Sequence, residues 1–392
     1  MEEMNELFYK DPYLREFDAE VVSCTEGKKG FEVVLNDTAF YPEGGGQPAD
    51  HGLLNEAVVS DVRKRDDRIV HYTDRPLAPG TTVHGIIDWE RRFDHMQQHT
   101  GEHIMSGIIH RHYGYENVGF HLGADNILID FDGPLTWEEL MVLEQEANAA
   151  IWKNMPIQVT YPDEEELKNL EFRSKKELSG LVRIVEVPEC DICACCGTHV
   201  TRTGEVGMIK CTSLENRKGG VRITLLCGGR AYRDYCRQSE QNADISHLLA
   251  AKIYETADAV RALQKADGEK SRQINALTQR YLAQKAETLP VGEYLVIDYA
   301  EDVRPVDLRE YGNRLMEEGK AVVSAMYTNG SEENVYNYIL LSQTENLRDA
   351  GKLLNEKLNG RGGGRPEMIQ GTYRASREEI EAAFREVLAR VQ

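Results

Sequence analysis

What this sequence lacks narrows it first. It contains no apolar run of about 18 residues, the length that marks a membrane-spanning helix, so no span is expected. Its opening residues, Met1-Glu2-Glu3-Met4, are acidic and lack the apolar core of a secretory signal. No phosphate-binding loop of the Gly-x-x-x-x-Gly-Lys type occurs. Positive charge is short. With 46 Lys and Arg against 66 Asp and Glu, the net charge is -20. That balance argues against indiscriminate nucleic-acid binding, because phosphate contacts need Lys and Arg. A selective, salt-sensitive RNA contact through a local basic face stays open. The eight cysteines do not form a spaced disulfide framework, since four of them fall between 190 and 196. The expected compartment is the cytoplasm.

Two short segments, far apart, read as halves of one metal site. The first is Gln98-His99-Thr100-Gly101-Glu102-His103 and the second is Cys195-Cys196-Gly197-Thr198-His199. Each offers two ligand-type side chains four residues apart. Residues i and i+4 share one helix face, so His99 and His103, in a helical pattern from about Phe93 to Tyr113, can converge on one ion. Together the halves supply His, His, Cys and His, a set that suits zinc. The zincin arrangement is absent: Thr100, not a Glu, follows the first His. Cys190, Cys193, Cys195 and Cys196 could also form a separate thiolate site, although their crowding fits a structural zinc knuckle poorly.

With these motifs in hand, the chain resembles the long-form alanyl-tRNA editing proteins, the AlaX family, and through them the editing and C-terminal domains of alanyl-tRNA synthetase. The resemblance begins with Asp37-Thr38-Ala39-Phe40-Tyr41-Pro42-Glu43-Gly44-Gly45-Gly46-Gln47-Pro48. It continues through the two metal motifs, Thr203-Gly204-Glu205-Val206-Gly207 and Gly219-Gly220-Val221-Arg222-Ile223, and ends at Gly360-Arg361-Gly362-Gly363-Gly364-Arg365-Pro366. It implies a hydrolase that removes serine, and sometimes glycine, from tRNA specific for alanine. It also implies one zinc per chain on His99, His103, Cys195 and His199. The second motif of the family commonly has Gly where this chain has Cys196, which makes Cys196 a competing ligand. Thr38 matches the position associated with serine recognition, and its bland reading is a strand-edge Thr. Gln47 follows a glycine run that lets backbone approach a ligand. Glu102 and Asp94 are candidates for base or supporting roles, and His121, beside Phe120, for the pocket wall. A zinc-stapled tRNA-binding module without catalysis is the alternative function.

The expected fold class is α+β in four parts. Residues 1–90 alternate short β-rich runs (Val21-Ser23, Phe31-Leu35, Val58-Val59, Ile69-Tyr72, Val83-Ile87) with turns and predict a small barrel. Residues 91–237 mix helices and strands as the zinc-binding editing domain, with a helix at Trp137–Lys153 and strands at Leu181–Val187 and Val221–Leu226. Residues 238–290 carry a heptad stripe, Leu249, Ile253, Thr256, Val260 and Leu263, resuming at Ile274, Leu277 and Tyr281. It predicts a long helical connector, with a break near Gly268 and a homodimer contact in view. Residues 291–392 alternate strands and helices as an α/β domain. Its Gly360 to Pro366 segment reads as a loop whose amides can hold phosphate. Basic candidates for the tRNA are Arg91-Arg92, Lys175-Lys176, Arg217-Lys218, and Arg361 with Arg365. A complete synthetase is not expected, because the editing-type motif starts near residue 37. A DHH-type phosphoesterase is not expected either, because its aspartate-rich motifs are missing.

Overall fold

The computed structural model describes residues 6–28, 30–174 and 182–389. The chain is mixed α+β and divides into two compact units, Met1–Asp244 and Ile245–Gln392.

In the first unit, α1 (Leu7–Lys10) precedes β1 (Glu16–Gly27), β2 (Gly30–Leu35), β3 (Gly52–Leu54), β4 (Ala57–Arg65), β5 (Arg68–Thr73) and β6 (Thr82–Ile87). These strands close into a barrel in the order β1-β2-β5-β4-β3-β6. Period-two patterning turns Phe17, Ala19 and Val21 of β1, and Val83 and Ile87 of β6, into its core. The hairpin between β4 and β5 turns through Asp66 and Asp67, both at positive φ, as a two-residue turn that matches strand twist requires.

α2 (Trp89–Tyr113) follows at once. The Asp88 side chain caps it by accepting from Arg91 N, and Gly114 at φ 70 ends it. Met96, Ile104, Met105, Ile108 and Ile109 are buried in the core of the α+β region. That region comprises β7 (Asn117–Leu122), β8 (Ile127–Phe131), α3 (Trp137–Trp152), β9 (Gln158–Thr160), α4 (Glu164–Asn169), β10 (Ile184–Val187), β11 (Asp191–Ala194), β12 (Ile209–Arg217), β13 (Gly220–Cys227) and α5 (Gly228–Leu249). Its sheets run β12-β13-β8-β7 and β11-β10-β9. Arg92 of α2 is fully buried and locks the helix to the barrel end, ion-paired to Asp50 and donating to the carbonyls of Pro12 and Ala39. Arg92 is therefore not available to RNA, which corrects the reading of Arg91-Arg92 as a basic surface pair. Lys175-Lys176 and Leu181 lie outside the described residues.

The second unit holds α6 (Thr256–Glu287), β14 (Glu293–Tyr299), α7 (Pro305–Glu317), β15 (Ala321–Asn329), β16 (Val335–Ser342), α8 (Arg348–Lys357), β17 (Arg361–Arg365), β18 (Met368–Arg374) and α9 (Arg377–Leu388). Its sheet runs β14-β15-β16-β18-β17. Only β14 and β15 are parallel, joined over α7.

Two expectations about the helical and glycine-rich segments change. The heptad stripe is not one helix. Ala250 adopts φ 49 at the end of α5, and Ser246 Oγ donates to Ala251 O at 2.6 Å, so the chain turns before α6 begins. Leu249 and Ile253 thus fall outside α6, whereas Gly268 lies inside it without a break. The Gly360 to Pro366 segment is not a loop. Residues 361–365 form β17, an edge strand paired to β18 from Arg361↔Thr372 to Arg365↔Met368.

Candidate metal centre

α2 presents His99 and His103 one turn apart, and the loop after β11 presents Cys195 and His199. Their ligand atoms all lie within 4.8 Å of one another. The ring centroids of His99 and His199 are 4.6 Å apart, and those of His103 and His199 are 4.7 Å apart. Cys195 Sγ lies 3.4 Å from both His99 Nε2 and His199 Nε2. All three histidines are buried. Gly197 is required here, because a Cβ on it would stand 2.0 Å from His99 Cε1.

The outward nitrogen of each ring is tied to a different partner. His99 Nδ1 meets Gln47 Oε1 at 2.9 Å. Gln47 is itself fixed, donating from Nε2 to Thr198 Oγ1 at 2.8 Å and accepting from Thr198 N at 3.2 Å. His103 Nδ1 meets Asp191 Oδ2 at 2.9 Å, and Arg173 grips both oxygens of that carboxylate at 2.8 Å. His199 Nδ1 meets Thr100 Oγ1 at 3.2 Å. Such outer partners fix the tautomer and ring orientation of metal-binding imidazoles. Here they leave Nε2 of His99 and His199 directed at the sulfur.

Electrostatics agree with a preset thiolate. Burial opposes the charged sulfur, but His99, His103 and His199 outweigh it and hold Cys195 well below the usual thiol range. Burial also opposes charge on His103, yet the Cys195 sulfur and the Asp191 carboxylate raise it to about 10. Burial keeps His199 neutral, down to about 3. A second group, His103, Asp191 and Cys193, also lies close together. It is the poorer set: Arg173 and His103 already hold Asp191, and burial pushes the Cys193 thiol up. Cys196 is exposed and stands outside both groups, and its backbone carbonyl accepts from Tyr9 OH at 2.8 Å.

The remaining expected residues scatter. Glu102 is fully buried beside the cluster. Its Oε1 accepts from Ser106 Oγ at 2.6 Å and Asn117 Nδ2 at 2.5 Å, and its Oε2 lies 3.9 Å from His103 Nε2. Thr38 is inside the barrel. Its Oγ1 is 2.8 Å from His71 Nε2 and accepts from Phe40 N at 3.1 Å. Asp94 is ion-paired to Arg230. His121 is exposed on β7, one residue out of phase with Phe120, whose ring packs on His99 at 5.1 Å between centroids. Gly46, at φ 83, lies against that Phe120 ring. Sequence reasoning missed Asp191, Arg173, Thr100 and Thr198. Thr100 and Thr198 sit inside the two motifs and were legible there. Arg173 carries no local signal.

The first unit thus pairs a closed barrel with an α+β region that holds a buried His-His-Cys-His group able to bind a metal ion. Residues 8–91 match the family described as tRNA synthetases class II (A). Residues 182–224 match the threonyl and alanyl tRNA synthetase second additional domain. The chain is 30% identical to alanyl-tRNA editing protein Aarsd1 of Rattus norvegicus, over 98% of each chain. It is 31% identical to alanyl-tRNA editing protein AlaX-L of Pyrococcus horikoshii, over 95% of this chain and 96% of that one. It is 32% identical to an alanine–tRNA ligase of Pyrococcus furiosus, over 96% of this chain but 42% of the ligase. Among solved structures, the C-Ala domain of Aquifex aeolicus alanyl-tRNA synthetase aligns at 24% identity over 26% of this chain and 96% of that domain, with a TM-score of 0.22, too low to define the fold. The chain belongs to the alanyl-tRNA editing protein family.

Proposed function

We propose that this protein hydrolyses the ester of wrongly charged alanine-specific tRNA, releasing serine, with glycine a second candidate, and with one zinc ion held by His99, His103, Cys195 and His199. The observation that carries this reading is the meeting of two motifs, about a hundred residues apart, in one buried four-donor group, in a chain of the alanyl-tRNA editing family. The donor set fits the metal: one sulfur held as thiolate and three imidazoles with their outer nitrogens engaged elsewhere. Bound there, zinc would polarise the ester carbonyl or acidify a water. The protein supplies the rest. Gln47, Asp191 and Thr100 orient the donors. Glu102, anchored through Oε1 by Ser106 and Asn117, is our candidate to take the proton of the attacking water at Oε2. Thr38 is our candidate for reading the serine hydroxyl, since a site that bonds a hydroxyl rejects the analogue lacking it.

A second reading is favoured by the burial of the cluster. Four protein donors fill a tetrahedral shell, and a catalytic site needs an open position. On that reading the protein is a zinc-stapled tRNA-binding module. The deciding experiment is deacylation of Ser-tRNA, Gly-tRNA and Ala-tRNA, all on alanine-specific tRNA, by wild type and His103→Ala. Loss of serine but not alanine, abolished by a chelator and by the substitution, supports hydrolysis. A folded, zinc-loaded protein that releases no amino acid leaves the binding module. The exposed Val260, Leu263, Ile274 and Leu277 of α6 are our candidate homodimer contact. A monomer by light scattering at micromolar concentration would dispose of it. No described helix is long and apolar enough to cross a membrane.

A further inference from the structure

α2 carries a third histidine in the same register. His95, His99 and His103 are spaced by four and share one helix face, yet only the last two belong to the four-donor group. His95 is 3% exposed, and its buried Nδ1 has no hydrogen-bond partner among the described residues. A buried polar group is ordinarily bonded, so an exception asks for a partner. His95 lines a cavity of about 720 Å³.

The walls of that cavity are cationic in their unspent charge. Arg230 is paired to Asp94 and donates to Gly123 O at 2.8 Å. Arg91 donates only Nε, to Ala49 O at 3.0 Å, and neither Arg91 nor Arg233 is ion-paired among the described residues. The exposed Glu90 is the one carboxylate of the lining not engaged by Arg230. Gly229 and Arg230 of the first turn of α5 also line the cavity. Gly229 has no side chain, so it presents backbone. First-turn amides lack intrahelical partners and carry the positive end of the helix dipole. Burial and the neighbouring Arg91 and Arg230 keep His95 neutral, down to about 3, so it offers a ring N–H rather than a charge.

Paired arginines, first-turn amides and a neutral ring donor are the groups that hold a tetrahedral oxyanion. Position adds to this. His95 lies one turn, about 6 Å, from His99 along α2. Pro48 lines the cavity, while the adjacent Gln47 holds His99. We propose that this cavity is a phosphate site, in which His95, Arg91, Arg233 and the first turn of α5 hold a phosphodiester of the tRNA acceptor strand beside the metal centre. The tRNA as source rests on the editing reading; the phosphate chemistry does not.

The test uses the full, zinc-loaded chain, with Arg233→Glu as the surface variant and His95→Phe as the buried one. Inorganic phosphate and AMP are titrated by calorimetry. Binding of uncharged alanine-specific tRNA is measured from 50 to 200 mM salt, and deacylation gives kcat and KM. Arg233→Glu should weaken uncharged tRNA severalfold, lower the slope of log K against log salt by about one, raise KM and leave kcat unchanged. Phosphate or AMP binding that Arg233→Glu abolishes, with tRNA affinity unaltered, assigns the site to a free phosphate compound and overturns the tRNA source. No phosphate binding together with unaltered tRNA affinity, KM and salt slope overturns the site. Uncharged tRNA binding reads the cavity without hydrolysis, so a protein that deacylates nothing yet loses tRNA through Arg233→Glu keeps this site and sinks the editing reading instead.

Discussion

His71 and His99 are buried imidazoles of the same unit put to opposite uses. In the barrel, His71 is closed on both sides: Nδ1 donates to Val33 O at 3.1 Å, and Nε2 accepts from Thr38. At the candidate metal centre, the outer nitrogens of His99, His103 and His199 are bonded and the inner faces converge on Cys195. Burial alone therefore does not mark a ligand. What separates the two is convergence with a thiolate, and each can be broken separately.

The largest break is removal of a donor. Cys195→Ser or His103→Ala should take zinc content by elemental analysis from one per chain to near zero and take deacylation below detection. His71→Asn should leave zinc content at one. Retention of zinc by both donor variants would mean that the metal sits outside both His103-containing groups.

Next comes the pH response of the closed site. Burial lowers His71 to about 4, from an ordinary value near 6.5. A histidine depressed in the folded state stabilises that state above its unfolded value, and the gain is lost as pH falls toward the folded value. Between pH 6.5 and 4 the barrel should lose about 3 kcal/mol on account of His71. Urea unfolding of wild type against His71→Asn should show the steeper loss in wild type. Parallel curves over that window would mean that His71 is not held neutral.

Smaller again are the outer partners. Gln47→Ala frees His99 Nδ1, and Asp191→Asn removes the charge behind His103. Each should cost roughly 10- to 100-fold in zinc affinity or activity. A competing chelator titration measures the first. An unchanged affinity in both would reduce these partners to packing.

The same contrast explains what could be read without coordinates. The donor quartet was legible because two of its three intervals are helical or turn spacings of four, and the sequence prints them as motifs. The barrel was legible from alternation in segments such as Val83 to Ile87. Arg173 and Asp191 were not, since the bond that matters joins residues 18 apart that no periodicity connects. The heptad stripe misled because apolar spacing carries no information about Ala250, where a single left-handed residue and the Ser246 bond stop α5. The glycine run at 361–365 misled in the opposite sense. Glycine usually signals a turn, yet here β18 supplies a partner strand that propensity cannot see.

Thr38→Val gives the smallest effect and the finest division between the two sites. The substitution takes a donor from His71 Nε2 and an acceptor from Phe40 N, which should cost about 1–2 kcal/mol in unfolding experiments. Zinc content should hold at one, because Thr38 belongs to neither donor group. The informative quantity is the ratio of serine to alanine release. If Thr38 reads the substrate hydroxyl, that ratio falls toward one and kcat for serine drops while zinc content holds. If its hydroxyl is committed wholly to His71 and Phe40, stability drops and the ratio stays where it was. In that case discrimination must come from another polar group near the cluster, and Gln47 and Glu102 are then the residues to exchange.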